Sequence, residues 1–274
     1  MQSPLLRSLN NPAIRRRGLA FMALALTVGV AGCKNDSEAI PDTGTGYYPI
    51  AVGNTWTYAV ADSTWSQALA SGNSLGTPSV LTVTNYQFKE TITEVFTDAS
   101  GQTAYRLVRS KMGPSTTTFR DDSVFVLTAN ANFVALNRNN AKTAELIFPV
   151  RQGRSWNLNA FNNNSNDTIT AETRQYSRVG QPFNTGGGTS GLPAKAYETT
   201  VTVNNTGTAT ESSALKKVGY QQVFAKGVGP VLRRRFFFAN FYINNPSSGR
   251  VDYYPGNYFL ATSRRETLID YHLR

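Results

Sequence analysis

Two stretches of this sequence repeat one pattern a hundred residues apart, and that repeat constrains the fold more than any other feature. Tyr48-Pro49 is followed by Gly53, Thr55 and Trp56; Phe148-Pro149 is followed by Gly153, Ser155 and Trp156 at identical spacing. Such self-similarity predicts two weakly related halves, each opened by a Trp. Pro49 forces Tyr48 to be extended, Gly53-Asn54 supplies a tight turn, and Trp56, Tyr58 and Val60 then alternate onto one face of a strand. Removing a buried indole typically costs about 3–5 kcal/mol, so Trp56 and Trp156 read as core anchors before they read as platforms for a sugar or lipid.

Beyond Ser79 the two-residue period continues. Residues 80–88, 91–97, 104–110, 123–128 and 132–136 read as strands, punctuated by Asp98-Ala99-Ser100-Gly101 and by the Asn-rich 137–140. Residues 167–178 and 194–203 read as paired strands around the glycine-rich 186–191, which has no Lys or helix placed to hold phosphate. Residues 211–225 fit neither period and are read as strand. Composition agrees, with 11% aromatic and only 16% charged residues. The expected fold is all-β: one antiparallel domain of about a dozen strands over 47–274, forming an open or half barrel. The alternative is a β-sandwich whose halves begin at the two Trp motifs.

The start of the chain carries a different signal. A basic stretch ending in Arg15-Arg16-Arg17 precedes an apolar run over 19–30 and then Val30-Ala31-Gly32-Cys33. The run falls short of the ~20 residues that a spanning helix needs, so 1–32 reads as an export signal that is removed. Arg16-Arg17 lacks the rest of a twin-arginine motif. Val-Ala-Gly-Cys resembles the lipobox of bacterial lipoproteins, which implies cleavage before Cys33 and acylation of its sulfur and new amine. Each buried methylene contributes about 0.8 kcal/mol, so several acyl chains make a lasting membrane anchor. Cys33 is the sole cysteine, which leaves no thiol for a disulfide, metal site or nucleophile. Residues 33–46 read as a polar tether with Pro41, Gly44 and Gly46. Its opening Lys34-Asn35-Asp36-Ser37-Glu38 resembles a surface-export signal of some Gram-negative lineages. Losing the four leader arginines, Arg7 and Arg15 to Arg17, takes the formal net charge from +10 to +6. That excess suits an anionic surface or glycan, or simply a solvated sheet.

Further along, Ala225-Lys226-Gly227-Val228-Gly229 permits a sharp bend between strands. Together with the lipobox, Gly53-Asn54-Thr55-Trp56-Thr57-Tyr58 and the Phe148-Pro149 echo, it resembles a group of uncharacterised secreted bacterial lipoproteins. Pro230 stands where that group usually has an aliphatic residue. The resemblance implies export and a β fold and brings no catalytic residues with it.

Motifs of chemistry are sparse. Gly72-Asn73-Ser74-Leu75-Gly76 matches a nucleophile elbow, but Thr77-Pro78 blocks the helix that must follow. His272, the only histidine, lies after Asp270 at the very end, so a triad would need the terminal strand to close over Ser74. With one His and no free Cys, zinc and transition metals lack ligands. Asn162, Asn164, Asn166 and Asp167 alternate like a cation loop yet supply a single carboxylate, too little for calcium. Asp121-Asp122 has no second acidic pair nearby for a glycosidase dyad. Asp62-Ser63-Thr64, Asp122-Ser123-Val124 and Asp167-Thr168-Ile169 resemble short O-glycosylation acceptors.

Arg233-Arg234-Arg235 followed by Phe236-Phe237-Phe238 would stack on nucleic acid in the cytoplasm; outside it, core packing or cation–π recognition of glycan or lipid fits better. The expectation is a non-enzymatic, cofactor-free and metal-free lipoprotein of the outer membrane, on its periplasmic face or the cell surface. One function class holds a lipid, glycan or other apolar ligand in a cupped sheet lined by Tyr58, Phe237 and Tyr254. The other is a structural or interaction protein that recruits an envelope partner and has no small-molecule site.

Overall fold

The structure, a computed structural model, describes residues 42–162, 172–186, 194–206, 211–246 and 248–274. Residues 1–41, which hold the expected export signal, Cys33 and most of the expected tether, lie outside the described residues. A 3-10 turn at Thr45–Tyr47 leads into fifteen strands, with no α-helix among the described residues. In chain order these are β1 (Thr55–Trp65), β2 (Leu69–Ser71), β3 (Ser74–Thr77), β4 (Leu81–Thr97), β5 (Thr103–Met112), β6 (Arg120–Ala129), β7 (Phe133–Arg138) and β8 (Ala141–Ile147). Then follow β9 (Ser155–Asn157), β10 (Thr173–Asn184), β11 (Ala196–Thr206), β12 (Glu211–Ser212), β13 (Lys216–Ala225), β14 (Gly229–Asn245) and β15 (Arg250–His272). Twelve strands follow one antiparallel path, β8-β7-β6-β5-β4-β1-β15-β14-β13-β11-β10-β9, curled into a nearly closed barrel. Strand β12 pairs with β13 off this path, and β2–β3 is a separate hairpin.

Taken around the barrel, this order is two six-stranded meanders. The first is β1, β4, β5, β6, β7, β8; the second is β9, β10, β11, β13, β14, β15. Each opens on one of the Trp motifs, so the repeated words do mark two halves, but of one barrel rather than of a sandwich. A ladder between β1 and β15, from Thr55↔His272 to Trp65↔Ala261 with one register shift between Thr57 and Tyr58, fuses the halves into a single sheet. Packing two separate sheets face to face would require that ladder to break.

The two motifs share geometry as well as spelling. Gly53 (φ 96°) donates to the Ile92 carbonyl, and the Ile92 amide donates back to Asn54. Gly153 (φ 77°) donates to the Tyr176 carbonyl, and the Tyr176 amide donates back to Arg154. Asn54 Nδ2 reaches the Pro49 carbonyl at 3.0 Å, and Arg154 Nη1 reaches the Pro149 carbonyl at 2.8 Å. In both, the turn carries a positive φ that L-residues resist, which is why Gly recurs there. Trp56 sits opposite Glu90 and Trp156 opposite Arg174, each on the second strand of its own meander.

At the other junction, between β8 and β9, no ladder forms among the described residues. Side chains replace it. The Tyr176 hydroxyl accepts from the Ile147 amide at 2.8 Å and donates to its carbonyl at 2.7 Å. Trp156 Nε1 donates to the Ala144 carbonyl at 2.8 Å, while the Ala144 amide donates to the Leu158 carbonyl at 2.9 Å. The Asn162 amide group serves both backbone groups of Lys142, at 3.1 and 3.0 Å. An open edge strand is a template for aggregation, and these groups cover it.

Strand direction and register give the barrel a floor and a mouth. Interior positions of β1 run Trp56, Tyr58, Val60, Asp62 and Thr64, from floor to mouth. Segment 42–54 crosses the floor, where Tyr48 stands 5.9 Å from both Trp56 and Phe224. Trp56 Nε1 donates to the Val228 carbonyl at 2.7 Å and the Tyr58 hydroxyl to the Pro230 carbonyl at 3.1 Å. A Cβ on Gly229 (φ 107°) would come within 2.9 Å of the Trp56 indole. Thus the Gly-Asn-Thr-Trp and Ala-Lys-Gly-Val-Gly motifs are the two sides of one floor contact. Pro230 serves there through its carbonyl, which any residue at the position would offer.

Candidate functional site

Above the floor the interior turns from apolar to ionic. Glu90 on β4, Arg109 on β5, Arg233 on β14 and Glu266 on β15 meet across the lumen. Arg233 Nη1 and Nη2 lie 2.9 and 3.0 Å from the two Glu90 oxygens, and Nη1 lies 3.1 Å from Glu266. Arg109 Nε adds a bond of 3.1 Å to Glu90. The Arg233 guanidinium also lies 4.8 Å from the centre of the Tyr58 ring. Burial alone would raise the Glu90 pKa, but Arg233 and Arg109 outweigh it and hold the carboxyl well below its ordinary 4.5. This cluster seals the lumen and leaves Tyr58 wholly buried beneath it.

Between the cluster and the mouth lies a cavity of about 1030 Å³. Its wall is drawn from both halves, but mostly from the second. Seven of its eighteen lining residues are charged, Arg138, Arg174, Arg235 and Arg264 with Asp62, Glu145 and Glu172; Tyr220 and Phe237 add aromatic surface. Three arginines are paired. Arg138 lies 3.2 Å from Glu145, Arg174 Nη2 lies 2.5 Å from Glu172, and Arg264 chelates Asp62 through Nε and Nη2. Asp62 also accepts from the Tyr86 hydroxyl at 3.3 Å. Arg174 is 5% exposed and stacks on Tyr220, 3.5 Å from the ring centre. Burial pushes the Tyr220 hydroxyl up to about 12. Its arginines are fixed donors and its tyrosine stays protonated at neutral pH.

Of the residues expected to bind ligand, the structure gathers only one here. Phe237 lines the cavity. Tyr58 belongs to the sealed floor, and Tyr254 lies in a separate groove of about 510 Å³ with Phe238, Tyr253 and Tyr258. The three therefore do not form one site. Cys33 lies outside the described residues. Arg174, Tyr220 and Arg264 were not singled out as site residues from the sequence, and Asp62 was named only within the Asp62-Ser63-Thr64 pattern, although a charge two residues beyond an alternating apolar run was an available signal for it.

The remaining motifs find structural roles. Ser74 sits in the β2–β3 hairpin beyond the mouth end of β1, whereas His272 pairs with Thr55 at the floor, so the two are at opposite ends of the barrel. Gly72 (φ 60°) with Asn73 makes the hairpin turn. The Asn162 amide is spent on the β8 edge; Asn164, Asn166 and Asp167 lie outside the described residues, as does most of 186–191. Ser110 and Ser123 donate to Asp121 and Asp122 at 2.8 and 2.6 Å. Comparison with protein-family models, with curated proteins and with solved structures gave no match to this chain.

Proposed function

We propose that this protein is a lipid-anchored, non-catalytic binding protein of the cell envelope whose barrel mouth holds a glycan or the polar head of a lipid. The observation that supports this reading most directly is the charged and aromatic lining of the 1030 Å³ cavity. Burying acyl chains against ionised groups is unfavourable, whereas hydroxyls and head groups gain hydrogen bonds and stacking there. The described chain enters at Asp42 on the floor side, next to Lys226 in the β13–β14 turn. An acylated Cys33 would therefore be connected in sequence to the floor side of the barrel. Mass spectrometry of the full-length protein extracted in detergent tests the reading: copurified glycan or lipid is expected, and repeated absence of both refutes it. Cys33→Ser should release the protein from membranes; unchanged partitioning would remove the anchor from the proposal.

An interaction protein is the second reading, favoured by exposed Leu81 and Val83 on β4 with Tyr253, Phe259 and Leu260 on β15. In vivo crosslinking from Leu260 to an envelope protein, with an empty cavity, would shift the balance to it.

A further inference from the structure

We infer that the ligand of the mouth cavity carries an anionic phosphate or carboxylate group, received by Arg174 and Arg235. The inference rests on reading the cavity as a binding site and adds the charge of what it binds. Its first support is an unmet donor set. Arg174 is nine-tenths buried, yet only Nη2 is paired, and Nε and Nη1 have no hydrogen-bond partner among the described residues. Buried guanidinium nitrogens are costly to leave unsatisfied, and charged donors most of all. Arg235, on β14 in the same lining, is exposed and has no partner among the described residues.

The second support comes from the internal repeat. Arg174 occupies in the second meander the place that Glu90 occupies in the first, opposite the motif Trp. The first half surrounds its buried charge with two opposite charges, Arg109 from the neighbouring strand and Arg233 from across the lumen. At the matching neighbour position, opposite Arg174, the second half has Asn205, which carries no charge. Glu90 is thus met by two arginines, one from each half, whereas Arg174 has Glu172 alone and borders the cavity. A phosphate or carboxylate is the acceptor that guanidinium groups match best, through paired hydrogen bonds, while Tyr220 and Phe237 offer stacking surface to a sugar ring.

Titration calorimetry on the full-length protein in detergent, with glycerol 3-phosphate, glucuronate and glucose as probes, tests this. At least one anionic probe should bind roughly tenfold or more tightly than glucose, and added salt should weaken it. Binding of the phosphate alone assigns a lipid head group; binding of the carboxylate alone assigns an acidic glycan. Arg235→Gln should lower the anion's affinity about tenfold without moving the melting temperature of the unliganded protein, since no partner is lost. Arg174→Gln should abolish binding, and if that variant does not fold, Arg235→Gln decides by itself. Equal binding of glucose and the anions, anion binding unchanged in Arg235→Gln, or no anion binding at all overturns the inference. A neutral glycan found by copurification would also overturn it while leaving the binding function standing.

Discussion

The two Trp motifs adopt one local geometry and do opposite jobs. Trp56 is wholly buried, lies near the floor end of the β1–β15 ladder and locks the floor against the β13–β14 turn. Trp156 is half-buried at the end of the sheet and ties β9 to the Ala144 carbonyl of β8, where no ladder exists. Identical turns thus set the direction of a strand, but the neighbours each half supplies decide what its indole does. Beside Trp56 an ion cluster drawn from both halves closes the interior, whereas the interior beside Arg174 leaves room.

The largest expected difference between them is in stability. Trp56→Ala should cost about 3–5 kcal/mol and Trp156→Ala about half as much, measured by urea denaturation. Equal losses would mean that the seam matters as much as the floor. Next comes the ion cluster. Glu90→Gln leaves Arg233 and Arg109 without their shared carboxylate and should cost about 3 kcal/mol at neutral pH. Because the folded pKa of Glu90 is depressed, its contribution is complete above the unfolded value and drains away as pH falls. Thermal melts from about pH 6 to about pH 3 should therefore show the gap between the wild type and Glu90→Gln narrowing but still open at the acid end. A gap that stays constant would assign the stabilisation to packing.

Tyr176→Phe removes both hydroxyl bonds to Ile147 and should cost about 1–2 kcal/mol, with faster hydrogen exchange at the Ile147 amide and little change at Ile92. Smallest is the pair of turn residues. Asn54→Ala should cost about 1–2 kcal/mol, since Asn54 is buried and also accepts from the Arg274 amide, whereas the more exposed Arg154→Ala should cost about 0.5 kcal/mol. A reversal of that order would show that the seam-side turn carries more strain than its twin.

Much of the architecture was legible because strand alternation and turn residues are local. The Trp repeat announced two halves, and the strand count followed from period-two patterning. Closure into a barrel was not legible, since it depends on which first and last strands meet, and the seam is built from Tyr176, Trp156 and Asn162 acting on backbone groups. The cavity was hidden for a related reason. Arg174 and Arg235 are far apart in sequence, and Asp62 and Arg264 are paired only through the β1–β15 register. Phe237 was named because it follows Arg233 to Arg235, Tyr58 because it alternates with Trp56, and Tyr254 because the end of the chain is rich in aromatics; only tertiary placement separates the three.

The ring has two junctions, and each is held in only one of two ways. Between β15 and β1 the strands are fully laddered but are the first and last of the ring. Between β8 and β9 the ladder is missing, but residues 148–154 carry the chain across. Covalent and hydrogen-bonded continuity therefore alternate around the circle, so a single nick in 148–154 need not release either half. Two fragments, each a meander with its own Trp, retain the β1–β15 ladder as their mutual recognition surface. A six-stranded unit of this kind has two unlike ends and closes a barrel only with a second.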